Sequence, residues 1–226
     1  MKYRHEYKYV IDARQEAILR VRIGGILQPD RHAGDTGSYL VRSAYFDDCL
    51  DSCLNDNLLG AEPRSKFRLR YYGNDPGTIR LEKKSKQNGM TQKEICPVTA
   101  AEAKAFLCGG HPAAEIGMPP MKQRLFTELM QRALRPKSIV TYERMPFVYA
   151  GGNVRVTFDR MLSSSEEVHR FLTGDYLTRP VFPVGKSVLE VKWDELLPPF
   201  IREALQLENL QWTAFSKYYM CRAVHL

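Results

Sequence analysis

The stretch Ser187-Val-Leu-Glu-Val-Lys-Trp-Asp194 alternates without a break, with Leu189, Val191 and Trp193 on one face and Glu190, Lys192 and Asp194 on the other. A period of two over this length is that of a β-strand with two unlike faces. The pattern recurs along the chain. Residues 2–11 set Tyr3, Tyr7, Tyr9 and Ile11 against Lys2, Arg4, Glu6 and Lys8, and residues 64–72 set Phe67, Leu69 and Tyr71 against Lys66, Arg68 and Arg70. Residues 78–86 place Arg80, Glu82, Lys84 and Lys86 together, and 91–98 form a further short strand carrying Lys93. Strands at 137–149, with Tyr142 and Arg144, and at 153–160, with Arg155, Thr157 and Asp159 opposite Val154, Val156 and Phe158, complete the set.

A single strand of this kind is ordinarily a solvated polar face over a core. Taken together the faces say more. Lys8, Arg68, Arg70, Lys84, Arg144, Arg155 and Lys192 are basic, against the acids Glu6, Glu82 and Glu190. Exposed sheet faces usually mix Thr, Ser and Gln with both signs of charge, and Arg-x-Arg with this basic excess departs from that mixture. Such strands can close into a barrel with a cationic interior, their aromatic and aliphatic faces covered outside by helices. Like charges in a partly desolvated space repel, so the arrangement points to an anion of high charge density. Arginine offers bidentate geometry to phosphate oxygens and lysine a compact charge. A carboxylate among them reads as a ligand for Mg²⁺ or Mn²⁺, which bridges phosphates and is held by one or two acids plus waters. Glu190 is the first candidate; its alternative is a structural ion pair with a neighbouring arginine.

Between the strands, Asp12 with Gln15 three residues on has the form of a capping box, opening a helix to about Gly24. Short helices are expected at 48–59, 100–108, 121–134, 200–207 and 215–224, and Ser163–Ser165 is expected in a loop. The pair of helices within about 99–135 reads as an insertion packed on the sheet of a single domain, 1–226, because a separate domain of that size would be marginal. The formal charge of +7 favours a polyanionic partner. Single-strand RNA binders interleave aromatics with basic residues on one accessible face; here the aromatics lie on the opposite faces, so no nucleic acid is expected. The first residues lack the apolar stretch of a signal peptide, and no run approaches the ~20 apolar residues of a membrane helix. Five cysteines without a CxxC pair suggest reduced thiols in the cytoplasm. Cys49 and Cys53 are placed on one helix turn, without the further ligands a metal site there would need.

Read in order, Arg-His-Glu-Tyr-Lys-Tyr (4–9), Ser-Ala-Tyr-Phe-Asp (43–47), Phe-Arg-Leu-Arg-Tyr-Tyr (67–72), Leu-Glu-Lys-Lys (81–84), Tyr-Glu-Arg (142–144), Val-Arg-Val-Thr-Phe-Asp (154–159), Leu-Glu-Val-Lys (189–192) and Phe-Ser-Lys-Tyr (215–218) are similar to the motifs of one family. The chain resembles the catalytic domain of the vacuolar transporter chaperone (VTC) polyphosphate polymerases, within the triphosphate tunnel metalloenzyme (CYTH-like) superfamily. The resemblance implies an α+β fold, an eight-stranded antiparallel β-barrel tunnel with helices packed outside. It also implies an enzyme that takes the γ-phosphate of ATP and elongates polyphosphate with Mn²⁺ or Mg²⁺. By motif, Lys8, Arg68, Arg70, Lys84, Arg144, Arg155 and Lys217 would hold phosphates and Tyr142 would hydrogen-bond one. Lys93, Lys192, Glu82 and Arg4 are further substrate-binding candidates, and Glu190, with Glu6 as a second acid, would bind the metal.

Two positions depart from the pattern. The superfamily's first strand commonly reads Glu-x-Glu-x-Lys and here reads Arg4-x-Glu6-x-Lys8, which points away from hydrolases with a full carboxylate set. Ala214 stands where the polymerase branch carries a lysine. The family's eukaryotic members often carry a phosphate-sensing domain and membrane helices; with neither read in this sequence, the expectation is a stand-alone, bacterial-type soluble domain that uses ATP or another nucleoside triphosphate and polyphosphate or pyrophosphate. Hydrolysis of tripolyphosphate and non-catalytic polyphosphate binding as a scaffold subunit are the alternatives.

Overall fold

A computed structural model describes residues 5–112, 117–207, 210–213 and 215–226; Arg4 and Ala214 lie outside the described residues. The chain divides into two compact units, one of Met1–Leu40, Tyr142–Ser163 and Pro180–Phe215, the other of Val41–Thr141, Ser164–Arg179 and Ser216–Leu226.

The strands are β1 (His5–Asp12), β2 (Gln28–Pro29), β3 (Tyr39–Asp47), β4 (Arg64–Tyr72), β5 (Ile79–Gln87), β6 (Met90–Val98), β7 (Arg135–Tyr149), β8 (Val154–Ser165), β9 (Arg179–Pro180) and β10 (Lys186–Trp193). The helices are α1 (Ala13–Gly24), α2 (Ser52–Leu59), α3 (Ala100–Leu107), α4 (Pro120–Gln131), α5 (Pro199–Ala204) and α6 (Lys217–Ala223). The architecture is the expected α+β fold on an antiparallel sheet. Its hydrogen-bonded order is β1-β10-β8-β7-β3-β4-β5-β6, with the short β2 on β7 and β9 on β8. Among the described residues ten strands thus stand where eight were expected. The other edge of β1 is met by Trp212, bridged to Tyr9, and by Thr213, whose amide donates to the Lys8 carbonyl at 3.0 Å.

In the first unit the period-two pattern is resolved as expected. Val154, Val156 and Phe158 of β8 and Leu189, Val191 and Trp193 of β10 form one core with Leu19 and Ile23 of α1 and Ile201 of α5. Burying these alternates beneath helices removes large apolar areas from water, and it turns Glu190, Lys192, Arg155, Thr157 and Asp159 to the opposite face. The α1 capping box forms: the Gln15 amide donates to Asp12 Oδ1 at 2.8 Å and the Asp12 amide to Gln15 Oε1 at 3.0 Å. Asp12→Ala is expected to cost about 1 kcal/mol, measured as a shift of the urea midpoint at unchanged slope.

In the second unit Phe67 and Leu69 of β4 and Leu81 of β5 are fully buried. Phe46 of β3 meets Phe106 of α3 edge-on, and Phe106 meets Phe126 of α4 in the same way. The two helices expected within 99–135 are α3 and α4. Helix α2 starts at Ser52 rather than Asp48. The carboxylates of Asp47 and Asp48 take the amides of Leu50, Ser52, Cys53 and Leu54, and Asp51 sits at φ 54°, which no helical residue can adopt. Cys49 therefore precedes the helix that contains Cys53. Ser163–Ser165 belong to β8 instead of a loop; Ser164 Oγ is buried and 2.9 Å from Ser138 Oγ. Serine is a poor strand signal, and this pair satisfies its hydroxyls internally.

Candidate functional site

In the first unit, β1 and β10 set opposite charges directly across from each other, Glu6 against Lys192 and Lys8 against Glu190. Cross-strand pairs of this kind stabilise a sheet. Lys8 Nζ lies 2.8 Å from Glu6 Oε1 and 4.0 Å from Glu190 Oε2, and Lys192 Nζ lies 2.5 Å from Glu190 Oε1 and 3.7 Å from Glu6 Oε1. Two ammoniums thus bridge two carboxylates, and Glu190 is 5% exposed. Arg144 Nη2 stands 3.8 Å from Glu190 Oε1. The structural ion pair weighed as the alternative for Glu190 is therefore present with lysines first and the arginine further off.

Arg144 is held mainly by Asp159, a fully buried acid, through Nε at 2.7 Å and Nη2 at 2.8 Å. Its guanidinium also lies over the ring of Tyr142, 5.3 Å from the centroid. Burial opposes its charge, but Asp159, then Tyr142 and Glu190, outweigh that and raise its pKa well above the usual value. Arg155 Nη2 donates to the Tyr39 hydroxyl at 2.9 Å and pairs with Asp30 at 3.0 Å.

In the second unit the centre is Glu82, 1% exposed. Arg68 Nε and Nη2 each reach its Oε2 at 2.6 Å, Arg70 Nη1 lies 3.7 Å from the same oxygen, and Lys93 Nζ is 2.7 Å from Oε1. Burial would raise its pKa, but Arg68, Arg70 and Lys93 bring it down to about 2. Lys93 responds in turn: desolvation, only partly offset by Glu82, brings it down to about 8. Arg68 Nη1 also donates to the Tyr45 hydroxyl, and Arg70 Nε to Ser43 Oγ. Beside this group, Lys66, Lys84 and Lys93 lie directly opposite one another across β4, β5 and β6. Lys217 opens α6 next to its N-cap Ser216, whose hydroxyl is 3.2 Å from Lys66 Nζ.

The candidates from the sequence are therefore gathered in two groups. Lys8, Glu6, Glu190, Lys192, Arg144, Arg155 and Tyr142 are in the first unit; Arg68, Arg70, Lys84, Glu82, Lys93 and Lys217 are in the second. The sequence reading did not assign a role to Asp159, Thr157, Tyr45, Ser43, Asp30 or Tyr39. The alternation that placed Arg155 on the charged face placed Thr157 and Asp159 there too, so that signal was present. Asp30 and Tyr39 carried none, because a loop residue and the first residue of a strand have no period to read.

Among the described residues there is no group of three or more His, Cys, Asp or Glu able to hold a metal ion. The donor set of Glu6 and Glu190 still fits one class of ion. Mg²⁺ and Mn²⁺ at phosphates use one or two carboxylates and take their other ligands from water and substrate. Thr157, whose Oγ1 is buried and has no hydrogen-bond partner among the described residues, is directly opposite Glu190 in the β8–β10 pair.

No curated protein matches the chain. Among solved structures, HpAC1 from Hippeastrum, described under the name adenylyl cyclase and as having a dominant triphosphatase activity, is 12% identical over 99% of this chain and 96% of its own, at a TM-score of 0.56. PH1012 from Pyrococcus horikoshii is 12% identical over 97% of this chain and 98% of its own, at 0.50. At such identities the likeness is one of fold. No helix among the described residues is long and apolar enough to cross a membrane. The VTC domain model matches residues 3–226, nearly the whole sequence and all of the motifs that carry the charged faces, and the chain belongs to the VTC domain family.

Proposed function

We propose that the chain catalyses divalent-metal-dependent phosphoryl transfer from a nucleoside triphosphate such as ATP to phosphate or to a growing polyphosphate chain. The observation that carries this reading is the row Lys66, Lys84 and Lys93 beside Arg68 and Arg70, with Glu82 as the acid at their centre. Like charges directly opposite in a sheet destabilise it, and a row of three is accounted for by an anion dense enough to repay the repulsion. Membership of the VTC domain family supports the same class of substrate.

On this reading Arg68, Arg70, Lys84, Lys93 and Lys217 bind phosphate oxygens in the second unit, and Lys8, Arg144, Arg155 and Lys192 do so in the first. Tyr142 donates a hydrogen bond. Glu190 and Glu6 hold the Mn²⁺ or Mg²⁺, which when bound supplies charge neutralisation at the reacting phosphates. Transfer of this kind needs alignment of donor and acceptor and stabilisation of the charge that develops, with no covalent nucleophile from the protein.

Incubation with ATP and Mn²⁺ is expected to yield ADP and phosphate chains, resolved by gel electrophoresis. Glu190→Gln is expected to lower the metal-dependent rate by at least about 100-fold, the upper range for lost metal support. Full activity in that variant would remove the metal assignment. Orthophosphate without chain growth would establish the hydrolytic alternative, to which the activity described for HpAC1 lends weight. Tight tripolyphosphate binding with no turnover would establish the scaffold.

A further inference from the structure

One buried side chain on the charged face of the first unit makes no hydrogen bond among the described residues. Thr157 is 1% exposed, and its Oγ1 has no hydrogen-bond partner among the described residues. In the β8–β10 pair Thr157 is directly opposite Glu190, and Arg155 is directly opposite Lys192. Directly opposed residues of an antiparallel pair share a face, with Cβ atoms about 4.5–5.5 Å apart, so the Thr157 side chain stands beside that of Glu190. Its charged neighbours on β8 are engaged, Arg155 through Nη2 with Asp30 and Tyr39, its Nε being without a partner among the described residues, and Asp159 with Arg144. Ser187 Oγ also lacks a partner among the described residues, but it alternates with Leu189 and Val191 and so lies on the core side of β10.

A buried hydroxyl without a partner costs stability, and valine offers the same β-branched shape without that cost. Packing therefore calls for valine here, and the hydroxyl calls for a ligand. The face is already rich in cationic donors suited to phosphate. Opposite Glu190, Thr157 supplies a neutral oxygen, a donor that hard divalent cations take along with carboxylates. We propose that Thr157 Oγ1 is an oxygen donor to the divalent cation held by Glu190. This inference rests on the function proposed above and adds a residue to that site.

The test compares wild type, Thr157→Val and Thr157→Ser by calorimetric titration of Mn²⁺ in the presence of tripolyphosphate, by tripolyphosphate titration in EDTA, and by thermal unfolding without ligand. Thr157→Val is expected to weaken Mn²⁺ binding about tenfold, the lower end of what one lost metal-supporting contact costs. It should leave the EDTA titration unchanged and melt no lower than wild type, and Thr157→Ser should stay close to wild type in all three. Equal Mn²⁺ affinity in the valine variant would overturn the inference and leave the wider reading standing. An affinity loss that also appears in EDTA would assign the hydroxyl to phosphate and overturn the metal role. A wild-type protein with no Mn²⁺-dependent signal would overturn both.

Discussion

Glu82→Gln is expected to destabilise the protein by about 3 kcal/mol at neutral pH, the equivalent of a carboxyl held at about 2 in place of 4.5. The acid is 1% exposed and faces Arg68, Arg70 and Lys93, so its removal strands three cations around a neutral amide. The sign with pH follows from the direction of the shift. A depressed folded-state pKa gives stability that is fully present above about 4.5 and lost as pH falls through about 2. Urea unfolding at stepped pH should therefore show the gap between wild type and variant closing across that window. Lys93 acts in the other sense: held at about 8 against 10.5, it opposes folding below 8, and that cost is relieved as pH rises to 10.5. Its side chain is 38% exposed, so solvent screens this contribution. On the proposed function, tripolyphosphate replaces the lost carboxylate as counter-charge. The ligand should then raise the melting temperature of Glu82→Gln more than that of wild type; an equal shift would separate this cation group from anion binding.

The faces of the strands were legible because a period of two is imposed by the backbone itself. Phe67 and Leu69 are buried and Lys66, Arg68 and Arg70 turn the other way for that reason alone. The capping box of α1 was legible because both of its hydrogen bonds are local. Pairing between distant segments was not. Nothing in Arg144 announces Asp159 as its partner; their meeting depends on a register that sequence spacing does not reveal. The late start of α2 was hidden for a related reason, since Asp47 and Asp48 compete for the amides that a helix beginning at Asp48 would have used. Strand number was less legible, because β2 and β9 are two residues each and too short to carry a period. Trp212 and Thr213 at the edge of β1 were hidden as well, since they lie in a segment with no alternation to mark them.

Asp159→Ala is expected to cost about 3–5 kcal/mol, the usual range for leaving a buried charge without its partner. Asp159 is fully buried and takes two short hydrogen bonds from Arg144, whose side chain is 12% exposed. Glu190, at 3.8 Å, is too far to replace that fork. The size of the loss does not by itself say why the pair exists, because a buried ion pair is often no more stable than an apolar pair of the same volume. The double substitution Arg144→Met with Asp159→Val separates the two roles. Removing both charges should bring stability back to within about 1 kcal/mol of wild type, since neither group is then left unpaired. If Arg144 also binds phosphate, as proposed, tripolyphosphate affinity in this refolded background should stay about tenfold or more below wild type, the worth of one charge-assisted hydrogen bond. The Nε–H and one N–H of Nη2 are committed to Asp159, so Nη1 and the second N–H of Nη2 are the donors Arg144 can offer to an anion, and Asp159 is what aims them. Wild-type affinity in the stable double variant would make the pair purely structural and confine anion binding in this unit to Lys8, Arg155 and Lys192.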